Sequence, residues 1–317
     1  MDNKIKWPHG KNFAFTIFDD TDNSTIANTR DVYAFLYDCG FLTTKSVWVF
    51  DSTEKSQVGK EWTAGDTCDD KEYVQWLKDL QSLDFEIGLH SVSTHRSRRD
   101  RVIYGIERFR DIFGYYPQSA SQHLDYRENE SMYWGNRRVS GFNEYLYNTI
   151  TLNRFKGKSK GHIEKSEYFW GDICKQRIKF MRNFVFSDIN TLKTCPVMPY
   201  HDDERPYVNY WFASSEGRDL KSYIECIKEK NQDNLEASGG ACIVYTHFAS
   251  GFFNHGKLDC NFKFLMERLS KKNGWFVPVS TLLDYLLRIK GHQVISNTEK
   301  NRLERKWLWH KIRHGTT

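Results

Sequence analysis

Nowhere in its 317 residues does the chain hold an apolar run approaching the roughly 18–20 residues of a membrane-spanning helix, so none is expected. The opening stretch, MDNKIKWPHGKNF, is too polar for a signal peptide, which points to a protein kept in the cytoplasm. C-x-x-C pairs are absent, and the seven cysteines are scattered and odd in number. A disulfide framework is therefore not expected, and a reducing compartment fits. A large charge surplus is missing too: 46 basic against 41 acidic residues leave +5, too little for a nucleic-acid footprint. Repeats and low-complexity linkers are also absent, so one main domain is expected over residues 1–295. What is present, 39% hydrophobic residues with 15% aromatics, is ample for a packed core.

The pattern along the chain alternates. FAFTIF reads as a buried strand, NTRDVYAFLYDCGF as a helix stopping at Gly40, and KSVWVFDS as a second strand. CDDKEYVQWLKDLQSLD is helical, FEIGLHS a strand, STHRSRRDRVIYGIERFRDIFG a helix, and YYPQSASQH leads to another strand. Residues 124–215 are less periodic. ENESMYWGNRRVSGFNEYL looks helical, KSEYFWGDICKQRIKFMRNFVFSDIN reads as helix then loop, and MPYHDDERPYVNYWFASSEG as a polar, aromatic-rich loop. Further on, LKSYIECIKEKNQ is an amphipathic helix, GACIVYTHFA a buried strand, CNFKFLMERLSKKNG a helix, and WFVPVSTLLDYLLRIKG a short strand with a helix behind it. Such βα alternation predicts an α/β fold with a parallel sheet or barrel, whose function gathers at the C-terminal strand ends. Residues 296–317 read as a separate basic amphipathic helix. Its Leu303, Trp307, Leu308 and Ile312 could pack on the barrel or mediate self-association. The alternative is peripheral contact with the inner face of a membrane.

Polar groups of one chemical kind close three strands: Asp19 and Asp20 after the first, His90 after FEIGL, and His247 after CIVYT. One aspartate and two imidazoles would hold a divalent transition metal such as Zn²⁺ and leave positions open for water and substrate. That is equipment for hydrolysing an amide or ester.

TIFDDTD, EIGLHSVSTH and CIVYTHF, in that order, resemble the T-F-D-D, H-S/T-x-x-H and strand-ending histidine motifs of the polysaccharide deacetylases, a family of metal-dependent carbohydrate esterases. The likeness spans residues 13 to about 290. It implies a distorted (β/α) barrel with fewer than eight full units. It also implies a hydrolase that removes an N-acetyl or other N-acyl group from a sugar during surface-glycan biosynthesis. The metal would be zinc, or Co, Ni or Mn, and the substrate an N-acylated glycan or a lipid-linked sugar. Carried over, Asp19 is the general base, Asp20 and His90 are metal ligands, and His247 is the general acid. Two other readings stand beside this one: a deformylase or amidase on a lipid-linked or small nitrogenous substrate, and a metal-free glycan-binding barrel.

The second motif is one residue longer than in the family, with Thr94 where the second histidine should be and His95 just beyond. A five-residue step turns a side chain about 100° further round a helix, so His95 serves as a ligand only from non-helical backbone. In place of an arginine-proline motif, QSASQH brings His123 to a strand end. His95 and His123 are thus rival third ligands. Asp22 is expected to meet substrate hydroxyls, and His201, Arg205 and Tyr207 to roof the site. The plainer alternatives are an Asp-Asp pair that only caps a turn, a core histidine at 247, a basic helix start around His95, and loop salt bridges at His201 and Arg205.

Overall fold

A computed structural model describes residues 5–51, 65–123, 129–133 and 139–314. Within them the chain runs β1 (Phe13–Asp19), α1 (Ile26–Asp38), β2 (Thr44–Val47), α2 (Lys71–Ser82), β3 (Glu86–His90), α3 (Arg99–Phe113), β4 (Ser119–Ser121) and α4 (Gly141–Ile150). It continues through α5 (Gly171–Arg177), β5 (Phe180–Phe186), α6 (Thr191–Thr194), β6 (Tyr210–Ser215), α7 (Leu220–Ile227), α8 (Glu229–Ser238) and β7 (Ala241–Thr246). A small hairpin, β8 (Phe253–Asn254) and β9 (Lys257–Leu258), precedes α9 (Cys260–Ser270), β10 (Gly274–Phe276), α10 (Val279–Lys290) and α11 (Asn297–His314).

Strands β1 to β7 pair in sequence order, all parallel, and β7 closes on β1 over six residues from Ala14↔Ala241 to Asp19↔Thr246. The result is a closed seven-stranded (β/α) barrel, one unit short of eight. The short β10 shares an edge of β1 with β2. It pairs with Phe13–Phe15 at the start of the strand, while β2 meets Phe18 and Asp19 at its end. With neighbours on both edges and helices outside, β1 is buried throughout, which is why it reads as a continuous apolar run.

Local chemistry sets the helix starts. Thr25 and Asn28 form a reciprocal capping box on α1, Asp219 and Ser222 form another on α7, and Asp70 and Asp259 cap α2 and α9. Gly114 ends α3 in the left-handed conformation (φ 83°) that glycine adopts without strain.

The middle of the chain differs from its sequence reading. Of the helix expected from residue 128, the described residues 129–133 are turn and bend, α4 supplies the helix from Gly141, and 134–138 lie outside the described residues; the stretch expected as helix then loop is α5 followed by β5. The polar, aromatic-rich stretch ends in β6. Both strands carry buried Arg, Asn or Ser (Arg182, Asn183, Ser214, Ser215), and that mixture blurs the apolar signature of a strand. The single helix read over LKSYIECIKEKNQ is α7 and α8, broken at Lys228 by extended backbone (ψ 153°). The C-terminal helix α11 lies against β5 and α4. Leu303, Trp307 and Leu308 are buried there, and full burial of a Leu-sized side chain contributes roughly 1.5–3 kcal/mol.

Candidate active site

An extended strand sends successive side chains to opposite faces. On β1, Phe18 turns inward and packs against Phe212 of β6, at 6.1 Å between ring centroids. Asp19 turns outward beneath α1, and Asp20, beyond the strand's last residue, turns inward again. Adjacent aspartates at this strand end therefore cannot share one pocket, whereas Asp20 and Asp22 can.

Asp19 is fully buried behind the barrel wall. Its Oδ2 meets Lys45 Nζ at 2.9 Å and accepts from the Tyr33 hydroxyl at 3.0 Å, and its Oδ1 accepts from the Phe248 amide at 2.9 Å. Lys45 Nζ also donates to Ser24 Oγ at 2.9 Å, tying the loop after β1 to the strand beside it. None of these partners is among the histidines, carboxylates or arginine at the mouth.

Asp20 faces the mouth. Arg182, inside β5, grips it with two N–H groups at 2.9 and 2.5 Å, and Ser121 Oγ at the end of β4 donates to it at 3.0 Å. The guanidinium lies between the Phe18 and Tyr245 rings, 5.2 and 4.6 Å from their centroids. Asp22 is where three imidazoles meet. His123 Nε2 lies 2.8 Å from Oδ1, and His90 Nε2 and His247 Nε2 each lie 3.4 Å from Oδ2. The His90 and His123 rings are 4.5 Å apart at their centroids, with Trp48 beside both. His247 Nδ1 contacts the Arg218 carbonyl at 2.6 Å, which leaves Nε2 aimed at the carboxylates, 3.9 Å from Asp20.

Burial opposes charge on both mouth carboxylates. Even so, the Arg182 guanidinium beside Asp20, and His123 with the other imidazoles about Asp22, hold both well below the usual carboxylate range. Burial also opposes the charge on His247, but Asp22 and then Asp20 override it and push the imidazole up to about 9.

Among the described residues, ligand-type atoms fall within 4.8 Å of one another in two sets, Asp22 with His90 and His123, and Asp20 with Asp22 and His247. Asp22 Oδ2 and His90 Nδ1 are buried without a hydrogen-bond partner, although two imidazole nitrogens stand near the carboxylate oxygen. Two ligands each ~2.1 Å from a tetrahedral metal stand about 3.4 Å apart, so the 3.4 Å spacing at Asp22 Oδ2 suits a cation better than hydrogen bonds, while His123 meets Oδ1 at hydrogen-bond distance. The donor set of two imidazoles and a carboxylate fits a divalent transition metal.

The remaining expected site residues lie elsewhere. His95 belongs to neither set, and its Nδ1 meets the Thr94 hydroxyl next to it. His201 Nδ1 contacts the Val208 and Asn209 carbonyls at 3.1 and 2.9 Å. Arg205 pairs with Asp202 and approaches Glu304 of α11 at 3.6 Å, and the Tyr207 hydroxyl donates to Glu164. None of these three joins the groups around Asp22. Arg182 and Ser121 had escaped the sequence reading. The available signal was an arginine within FMRNFVF, since a charged side chain in a buried strand needs a partner.

No family model matches the sequence, and no curated protein does. Solved structures do match. A protein of Mycobacterium smegmatis described as a polysaccharide deacetylase aligns at 12% identity with a TM-score of 0.52, covering 93% of this chain and 97% of its own. The chain shares the (β/α)-barrel fold of that structure. An allantoinase (10% identity, TM-score 0.42, 98% and 94% covered) is more distant. So is a polysaccharide deacetylase described as involved in O-antigen biosynthesis in Bordetella bronchiseptica (12%, 0.35, 96% and 96%). At such identities the likeness establishes the fold alone, and the last two add nothing to the argument.

Proposed function

We propose that the protein is a metal-dependent hydrolase that removes an N-acyl group from a sugar, with an N-acylated glycan or lipid-linked sugar of surface-glycan biosynthesis as its substrate. The observation that carries this reading is the convergence of Asp22, His90 and His123 at the mouth of a deacetylase-type barrel. These three would hold the metal, zinc being the natural candidate for the donor set, with His123 as the third ligand in preference to His95. When bound, the metal supplies a Lewis acid that polarises the amide carbonyl and makes water a better nucleophile.

The chain's own groups divide the proton work. Asp20 stays ionised under the Arg182 grip and stands beside the triad, so it is the carboxylate placed to take a proton from water. Asp19, locked to Lys45, has no path to that position. His247 holds its proton at Nε2 beside Asp22, 3.4 Å from its Oδ2, where it can deliver it to the departing amine. A deformylase or amidase would use the same groups, so the acyl group is settled by product analysis. All seven cysteines are free, in keeping with a reducing cytoplasm. No described helix is long and apolar enough to cross a membrane. Contact with an inner leaflet would fall to the exposed Trp309 and Ile312 of α11, flanked by Arg305 and Arg313.

The test is metal content after dialysis and reloading with Zn²⁺, measured beside acetate release from N-acetylated oligosaccharides. About one equivalent is expected in the wild type and in His95→Ala, and none in His123→Ala or His90→Ala. Retention in His90→Ala, or a wild type that never takes up metal, would sink the proposal.

A further inference from the structure

The loop leaving His90 leads from the acidic cluster to a pocket of opposite charge. Arg96, Arg98 and Arg101 line a cavity of about 820 Å³ with Asp100, Tyr104 and Tyr168, and small-molecule sites span roughly 300–1,000 Å³. The loop over residues 91–98 joins the C-terminal end of β3 to α3, so the pocket opens at the same end of the barrel as the mouth.

The arginines are incompletely neutralised. Arg98 pairs with Glu167 at 3.0 Å, but both side chains are more than half exposed, so water screens the pair. Arg101 donates to the Asp51 carbonyl at 2.8 Å and lies 4.9 Å from the Phe50 ring centroid, and neither partner cancels a full charge. Arg96 is exposed and makes no hydrogen bond or ion pair among the described residues. Tyr104, stacked on Phe50 at 5.5 Å and 64% exposed, offers the flat amphipathic face on which a sugar ring rests.

We propose that this pocket binds a phosphate carried by the substrate, so that the substrate class is a phosphorylated N-acyl sugar. The inference rests on the hydrolase reading above and extends it. Three guanidinium groups outnumber the two carboxylates beside them, and a tetrahedral phosphate, with three free oxygens as a monoester and two as a diester, can take N–H groups arriving from several directions. A planar carboxylate satisfies one fork at a time. A molecule reaching both sites presents its amide to the cluster at Asp22 and its anion to the arginines.

The experiment is calorimetry on metal-free protein with inorganic phosphate, N-acetylglucosamine 1-phosphate and neutral N-acetylglucosamine as probes. It compares wild type with Arg96→Ala/Arg98→Ala and with Arg96→Lys/Arg98→Lys. Wild type should favour the phosphorylated sugar over the neutral one by about tenfold or more. The alanine variant should lose the preference with an unchanged Tm, and the lysine variant should regain part of it. No preference in wild type, or an equal one in the alanine variant, overturns the proposal. A short-chain polyprenyl-phosphate sugar separates the sources. Tighter arginine-dependent binding of the lipid form assigns the phosphate to a lipid carrier, and equal binding assigns it to a soluble phosphosugar. Since binding is read without turnover, a phosphosugar held by these arginines but never hydrolysed would defeat the hydrolase reading and leave the pocket standing.

Discussion

Asp19 and Asp20 are neighbours in the chain, both buried and both paired with a buried cation, yet they sit in regions of opposite purpose. Behind β1, Asp19 and Lys45 face each other in register, and every polar atom of the Asp19 carboxylate is matched by Lys45, Tyr33 or the Phe248 amide. In front of β1, Asp20 is matched by Arg182 and Ser121, but its surroundings include His90 and His247 and an Asp22 oxygen with no hydrogen bond. A satisfied buried ion pair fixes structure, while an unsatisfied cluster of donors at a strand-end mouth is a place for a ligand. What separates them is which side of one strand each carboxylate emerges on.

Breaking the rear pair should have the largest effect on stability. Asp19→Asn leaves the Lys45 ammonium buried opposite an uncharged amide, and removing one partner of such a pair costs about 3–5 kcal/mol. Urea denaturation should register that loss, while metal uptake per folded molecule stays at the wild-type level. Abolished uptake in a folded Asp19→Asn protein would return Asp19 to the site.

At the front, Arg182→Gln should cost less, about 2–3 kcal/mol, because Ser121 and the imidazoles still serve Asp20. The wild-type Asp20 carboxyl is held below its ordinary value of 3.8. Its contribution is therefore present above pH 3.8 and lost only as pH falls through the lower folded value. In Arg182→Gln most of that contribution should vanish, and the acid limb of the activity profile should move to higher pH. An unmoved acid limb would mean that Asp20 does not govern it.

The smallest effect is expected at Glu86, where β3 begins, at the opposite end of the strand from His90. Burial raises its carboxyl above 4.5, although Thr44 Oγ1, Ser119 Oγ and the Ser280 amide all donate to it, at 2.6, 2.8 and 2.9 Å. A raised acid contributes stability fully below pH 4.5 and loses it as pH rises through the folded value. Glu86→Gln can keep these contacts if the Ser119 hydroxyl turns to accept. Its stability should not decline over that interval, leaving it above wild type near neutrality. A parallel decline in both proteins would assign the pH dependence to another group.

Much of the fold was legible because its signals are local. Thr25, Asp70 and Asp259 announce helix starts, Gly40 and Gly114 lie just past helix ends, and the apolar runs of β1 and β7 admit little but buried parallel strands. β5 and β6 were lost because Arg182, Ser214 and Ser215 break their apolar runs.

The site divides in the same way. The sequence by itself determined that Asp20, His90, His123 and His247 stand at or just beyond strand ends, because composition and spacing carry that information. Only the tertiary structure decided that Asp19 faces Lys45 while Asp22 gathers the imidazoles, that His123 and not His95 reaches it, and that Arg182 comes from a strand 162 residues away to hold Asp20. Side-chain direction on a closed barrel depends on strand alternation and register together, and register is a property of the sheet that no single strand contains.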